Sequence, residues 1–233
     1  MSTNKVSSIV NLFKKRLSSI YDERELQNII HLCFEHIMAW DKMTFRQKQD
    51  DALSESELLH FNSIIKRLQK NEPIQYIMGH TEFYGLRFLI NDNVLIPRPE
   101  TEELVDLMVK ENKHKSIRIL DVGTGSGCIA VALKKNLPQS TVVAIDASND
   151  AIEVARQNAK KNNVEVAFIT MDIFSEDVLS LGKFDVIVSN PPYITKQEQN
   201  QMREHVLAFE PHQALFVNHS PLEFYERICE LST

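Results

Sequence analysis

Ile117-Arg118-Ile119-Leu120-Asp121-Val122-Gly123-Thr124-Gly125-Ser126-Gly127 is the stretch on which the fold turns. A short apolar run ends in an acid, three glycines follow at alternate positions, and Cys128 to Lys135 then carries a helical pattern. A strand that turns into a helix through glycines opens an α/β unit, because a side chain at such a turn disfavours positive φ and blocks close approach of a ligand to the backbone. Outward from this stretch the same alternation continues. A helix over 102–111 precedes it, and apolar runs at 142–145, 166–169 and 184–188 follow, most of them separated by helical segments. Strands alternating with helices predict a parallel sheet covered on both faces.

The loop itself narrows the ligand. The dinucleotide fingerprint GxGxxG needs a third glycine three residues after the second, whereas here Gly127 closes GxGxG and position 128 is Cys. That departs from the NAD pattern and leaves a NAD oxidoreductase as a distant alternative. Gly123, Thr124, Gly125, Ser126 and Gly127 therefore read as the cradle of a different nucleoside-bearing cofactor. Asp121 fits a carboxylate that pairs with an amino-acid ammonium group, which S-adenosylmethionine has and NAD lacks. Asp146, 19 residues after Gly127 and at the end of the second strand, is placed to accept bonds from both ribose hydroxyls. Its plainer role is to cap the helix that begins near Asn149.

After the fourth strand comes Asn190-Pro191-Pro192-Tyr193, at the carboxyl end of a strand expected beside the glycine loop, where open sheets of this type bind ligands. Two prolines stiffen the backbone, remove two amide donors and leave carbonyl oxygens exposed. An amide or aromatic amino nitrogen attacks poorly because its lone pair is delocalised. The Asn190 side-chain oxygen and the Pro191 carbonyl can hold its two hydrogens, and Tyr193 can stack on the planar group. Methyl transfer then rests on positioning and on acceptors for developing charge. Catalysis is thus expected at Asn190, Pro191 and Tyr193, with Pro192 completing the substrate loop.

The remaining chain bounds these expectations. The first 72 residues hold no glycine or proline and read as a helical bundle, with Ile9, Leu12, Phe13 and Leu17 on one stripe and Leu26, Ile29, Ile30, Cys33 and Ile37 on another. Ser54 and Glu57 form the pattern of a capping box before a helix that turns Leu58, Phe61, Ile65 and Leu68 inward. Pro73 ends that pattern, and residues 73–96 read as a hairpin linker. The expected organisation is a helical substrate-recognition domain over 1–72, the linker, and a catalytic domain over 97–233. Three scattered cysteines without CxxC spacing, and histidines without paired-ligand spacing, point to no disulfide framework and no metal site. Of the 26 basic and 32 acidic side chains, 11 and 10 lie in residues 1–72, so the acidic excess falls on the catalytic part. Such a surface argues against a nucleic-acid partner, whose phosphates need a basic track. The absence of a long apolar run predicts no membrane span and a cytoplasmic location.

With these residues in place, the chain resembles the release factor glutamine methyltransferases, the protein-(glutamine-N5) methyltransferase family. The resemblance rests on Glu72-Pro73-Ile74 with Gly79, Ile96-Pro97-Arg98-Pro99-Glu100-Thr101-Glu102, Asp121 to Gly127, Asn190 to Tyr193 and Phe209-Glu210-Pro211. It implies a Rossmann-like class I S-adenosylmethionine-dependent methyltransferase domain behind the helical bundle and hairpin. It further implies methylation of the side-chain amide nitrogen of the glutamine in the Gly-Gly-Gln motif of peptide chain release factors, which the bundle would grip. Pro97 to Glu102 would lie near the cofactor, with a proline-led helix start as its equally weighted plainer reading, and Ile173 or Phe174 would stand beside the adenine where some relatives place a Trp. A nucleic-acid adenine or guanine amino-methyltransferase shares the Asn-Pro-Pro-Tyr logic and is the nearest alternative. Family members usually extend beyond the position of Thr233, so a C-terminally incomplete domain is expected, with the strand before Asn190 at a sheet edge. A non-catalytic binding remnant is the corresponding alternative.

Overall fold

The structure is a computed structural model that describes residues 4–232, in two compact units, Met1–Met78 and Gly79–Thr233. In the first, α1 (Val6–Leu17), α2 (Glu23–Met38), α3 (Lys42–Gln47), α4 (Glu55–Leu68) and α5 (Ile74–Met78) form a bundle. Side chains start three of these helices where the sequence supplies a short polar residue. Asp22 accepts from the Glu25 amide at 2.9 Å, Asp41 from the Thr44 amide at 2.7 Å, and Ser54 and Glu57 close the full capping box. The apolar stripes meet around Phe34, whose ring lies 4.4 Å from that of Phe61. Phe13, Leu17, Phe61 and Leu68 join it in the fully buried core, while Leu12, Ile37 and Leu58 are only partly buried at its margin. Where the sequence suggests a hairpin from residue 73, one further short helix, α5, comes first. Arg67 pairs with Glu72 and donates to the Ile77 carbonyl, so the charge that ends α4 also holds α5.

The second unit opens with a hairpin, β1 (His80–Phe83) and β2 (Leu86–Leu89), followed by α6 (Pro99–Asn112). Then β3 (Arg118–Val122), α7 (Cys128–Asn136), β4 (Thr141–Asp146), α8 (Asn149–Lys161), β5 (Ala167–Thr170) and β6 (Val186–Ser189) build a parallel four-stranded sheet in the order β5-β4-β3-β6. Two short helices, α9 (Glu204–Phe209) and α10 (Glu223–Leu231), follow. The expected α/β architecture is therefore present. Strand order reverses at β3, since the chain winds toward β5 and then returns to place β6 on the other side. A crevice opens at such a reversal beyond the carboxyl ends of the strands, and both glycine loop and Asn-Pro-Pro-Tyr loop leave the sheet there. Among the described residues β6 has a neighbour on one side only.

Packing across the sheet fixes the loop that β3 feeds. Val131, Ala132 and Leu133 of α7 are fully buried with Ile119, Ala144 and Ile152. Gly127 has φ +78°, and a Cβ there would stand 2.9 Å from the Ala155 Cβ. Only glycine therefore lets α8 lie against the loop. Asn158, one turn along α8, is fully buried and spends its whole amide on backbone. Its Oδ1 accepts from the Leu89 amide at 2.6 Å, and its Nδ2 donates to the carbonyls of Leu89 and Ser126 at 2.9 Å each. One side chain thus joins hairpin, helix and glycine loop.

Gly127→Ala is expected to lose at least about 2 kcal/mol, from the left-handed backbone cost together with the contact with Ala155. Thermal unfolding should register this as a midpoint lowered by about 4–8 °C. An unchanged midpoint would contradict the contact.

Candidate active site

Asp121, next to last in β3, pairs in register with Ala144 and Val188 on its two sides and has no exposed surface. One oxygen, Oδ2, accepts from the Thr124 hydroxyl at 2.6 Å, while Oδ1 is buried with no hydrogen-bond partner. Burial, opposed only in part by the Thr124 hydroxyl and the Ala130 amide, pushes its pKa up to about 7. A buried acceptor left unpaired costs about 1–3 kcal/mol, and such atoms in folded proteins call for a ligand or ion. An ammonium donor fits this need, so the residue set suits an amino-acid-bearing cofactor.

The glycine loop returns across β4, with the Gly123 and Thr124 amides donating to the Ile145 carbonyl at 2.9 and 3.0 Å. Asp146 ends β4. Its Oδ2 accepts from the Gly125 amide at 2.8 Å and its Oδ1 from the Ser148 amide at 2.9 Å, while burial raises its pKa. The capping role left open by the sequence belongs to Ser148, which accepts from the Ala151 amide at 3.2 Å. A carboxylate offers about four acceptor positions, so Asp146 can fix the loop and still receive two hydroxyls.

Opposite stands the Asn-Pro-Pro-Tyr loop. Ser189 donates to the Val122 carbonyl at 2.7 Å and so ties the end of β6 to the end of β3. Asn190 follows, and its Nδ2 donates to the Thr101 hydroxyl oxygen at 3.1 Å. Pro191 is buried, Pro192 half-buried, and Tyr193 is 54% exposed. Beyond it the chain pairs again through Ile194, whose amide donates to Leu215 at 3.2 Å and whose carbonyl accepts from Val217 at 2.9 Å. The rigid turn is thus held at both ends.

Between these walls lies a cavity of about 870 Å³, within the range of small-molecule sites. Gly123, Gly125, Asp146, Ile173, Asn190 and Pro192 line it. Asp121, Thr124, Ser126, Gly127, Pro191 and Tyr193 are not part of that lining; Tyr193 is exposed, and the other five are buried and shape the wall from behind. Phe174 joins Ile173 in the wall, set edge-to-face against Phe224 at 5.1 Å, and Lys196 and His212 line the far side. No motif announces those last residues, because they reach the cavity only through the fold of the segment after β6. The Cys128 thiol is pushed up to about 12 by burial and offers no thiolate.

The Pro97 to Glu102 segment is not part of the cavity lining. It begins α6, with Pro99 in the first turn, and fastens that start from several directions. Arg98 donates to both oxygens of Glu210, at 2.6 and 2.8 Å, and the Glu210 side chain is 1% exposed. Glu102 accepts from the Tyr84 amide at 2.9 Å, which ties the hairpin to the same helix. The segment therefore stands one layer behind Asn190.

Residues 100–216 match the methyltransferase small domain family and residues 8–79 the PrmC N-terminal domain. The sheet order, the glycine loop at its reversal and this match define a class I S-adenosylmethionine-dependent methyltransferase, an enzyme. Two curated proteins, each called release factor glutamine methyltransferase, extend the likeness over nearly the whole chain. That of Flavobacterium psychrophilum is 43% identical over 95% of this chain and 79% of its own length. That of Bacteroides thetaiotaomicron is 45% identical, over 97% of this chain and 81% of its own. The chain belongs to the release factor glutamine methyltransferase family. Among solved structures, the hMettl16 catalytic domain in complex with MAT2A 3'UTR hairpin 6 superposes with a TM-score of 0.50 at 20% identity, over 77% of this chain and 63% of that one; it shares the fold. Among the described residues no helix is long and apolar enough to cross a membrane.

Arg98→Ala leaves the Glu210 carboxylate buried without its cation. The expected loss is about 3 kcal/mol, at the lower end of values for broken buried pairs because Arg98 keeps some contact with water. Urea unfolding measures it, and a change within about 0.5 kcal/mol, typical of surface sites, would show the pair to be dispensable.

Proposed function

We propose that the protein methylates the side-chain amide nitrogen of the glutamine in the Gly-Gly-Gln motif of peptide chain release factors, with the N-terminal unit gripping the protein substrate. The observation that carries this reading is a single cavity bordered on one wall by Gly123, Gly125 and Asp146 and on the other by Asn190 and Pro192. Support for the substrate comes from the two relatives described above, which are named for glutamine methylation of release factors.

S-adenosylmethionine, when bound, supplies a methyl group made electrophilic by the neighbouring sulfonium. In this reading Asp121 takes the cofactor ammonium on its unpaired oxygen, Asp146 the ribose hydroxyls, and Ile173 with Phe174 flanks the adenine. Asn190 Oδ1 and the Pro191 carbonyl accept the two amide hydrogens of the glutamine, which turns its nitrogen toward the cofactor. Tyr193, which is exposed and follows directly on Pro192, would stack on the planar amide. The nitrogen so held would form its bond to the methyl carbon as the carbon–sulfur bond breaks, with S-adenosylhomocysteine the leaving group and the displaced proton released to water. Acceptors held in place before the reaction stabilise positive charge on nitrogen without reorganising, which is where preorganised polar groups contribute most.

Incubation with S-adenosylmethionine and unmethylated release factor, followed by mass spectrometry of the Gly-Gly-Gln peptide, tests the reading. A methyl group on that glutamine is expected, reduced about 100-fold in Asn190→Ala, the size typical for removal of one preorganised polar contact. A methyl group on RNA or DNA in place of the peptide would assign the chain to base methylation.

Asp121 makes cofactor affinity depend on pH. Its pKa of about 7 lies above the ordinary 3.8, so below pH 7 it is protonated and offers no charge to an ammonium. Affinity should therefore fall as pH drops below 7. It should fall again above roughly pH 8, where a free α-amino group loses its proton. Calorimetry across this range should show net proton release near pH 6.5, and Asp121→Asn should flatten the acid limb. An acid limb that survives the substitution would rule out Asp121 as its source.

A further inference from the structure

The acceptor role given to Asn190 raises a problem that the side chain cannot solve alone. A primary amide carries an acceptor at one end and donors at the other, and rotation by half a turn exchanges them at little steric cost. A substrate amide nitrogen brings only hydrogens. Presented with Nδ2, it meets donor against donor; presented with Oδ1, it is held.

One contact breaks the symmetry. Asn190 Nδ2 donates to Thr101 Oγ1 at 3.1 Å, across 89 residues of sequence, and no other side-chain hydrogen bond of Asn190 occurs among the described residues. Thr101 is 8% exposed, sits in the first turn of α6 and does not line the cavity, whereas Asn190 does. The amide end is thus engaged behind the cavity and the carbonyl end remains available. The hydroxyl cannot wander, because the backbone around it is fixed: the Thr101 amide donates to the Arg98 carbonyl at 3.0 Å, and Arg98 and Glu102 fasten the same turn to Glu210 and Tyr84.

We propose that Thr101 is a positioning residue for methyl transfer, holding Asn190 with Nδ2 turned toward α6 so that Oδ1 is presented to the substrate amide. This rests on the acceptor role of Asn190 proposed above. Thr101 touches neither reacting atom; it acts through Asn190. The Arg98–Glu210 pair in turn keeps the first turn of α6 in place, which gives that buried pair a part in catalysis as well as in stability.

The test is a double-mutant cycle on the chain of residues 1–233 with release factor as substrate. Thr101→Val keeps the shape of the side chain and removes the hydroxyl. It should lower kcat by about 10- to 100-fold, the range expected when a buried donor loses its partner. Dissociation of S-adenosylmethionine, which also certifies that the variant is folded, should stay within about twofold of the parent, and Thr101→Ser should recover most of the rate. In the Asn190→Ala background the same Thr101→Val change should have no further effect, because no amide remains to be oriented. Three results would overturn the proposal: kcat unchanged in Thr101→Val, cofactor binding weakened in step with kcat, or an equal loss in the Asn190→Ala background. Full transfer by Asn190→Ala alone is a different failure, since it removes the acceptor reading on which the proposal stands.

Discussion

A carboxylate without exposed surface, Asp121, lies at the end of the central strand, and the architecture of the catalytic unit follows from keeping it there. Desolvation favours its neutral form, one oxygen is committed to Thr124, and the other has no partner. Burying such a group is costly unless something compensates. The Thr124 hydroxyl compensates only in part, and a cationic ligand would do more. In the proposed reading this unsatisfied group is what the cofactor ammonium meets, and it is held in place by a sheet whose strands pair on both sides of β3 and by α7 packed on its face.

Around that point the loops are shaped by backbone constraints more than by side-chain contacts with the cavity. Gly127 lets α8 approach, Asp146 pins the Gly125 amide, and Asn158 joins the loop to the hairpin through three backbone bonds. The same contacts that stabilise the unit thus also hold the loop in its place. The Asn-Pro-Pro-Tyr turn is treated in the same way. Ser189 holds its start to β3 and Ile194 holds its end to the segment at Phe216, so the two prolines stiffen a turn whose ends are already fixed.

The first turn of α6 connects these features. Arg98, Thr101 and Glu102 reach Glu210, Asn190 and Tyr84, three separate parts of the unit, from a stretch of five residues. For the amide nucleophile proposed above, precision of about half an ångström matters, and side chains achieve it only when a surrounding layer locks their rotamers. That layer here is a helix start, where Pro99 fixes φ and two acids occupy the first turn.

Local chemistry made much of this legible in advance. The glycine loop, the four strands, the capping box at Ser54 and the turn at Asn190 each depend on residues near one another in sequence, and periodicity and backbone preference report such features directly. The Pro97 to Glu102 motif was visible too, as a proline-led helix start, but the partners it reaches were not. Arg98 meets a glutamate 112 residues away, and Thr101 an asparagine 89 residues away. Those pairings exist only because the strand order brings β6 beside β3 and the chain after β6 folds back over the sheet. The Lys196 and His212 side of the cavity has the same origin, and in the helical unit the meeting of Phe34 with Phe61 is likewise a contact between distant helices. The sequence alone determined most of which segments become strands, helices and tight turns, because those choices are made over a few residues; α5, held by Arg67, is the exception. Only the tertiary structure decided which polar groups meet, because desolvation and hydrogen-bond geometry act between groups that the chain brings together from a distance.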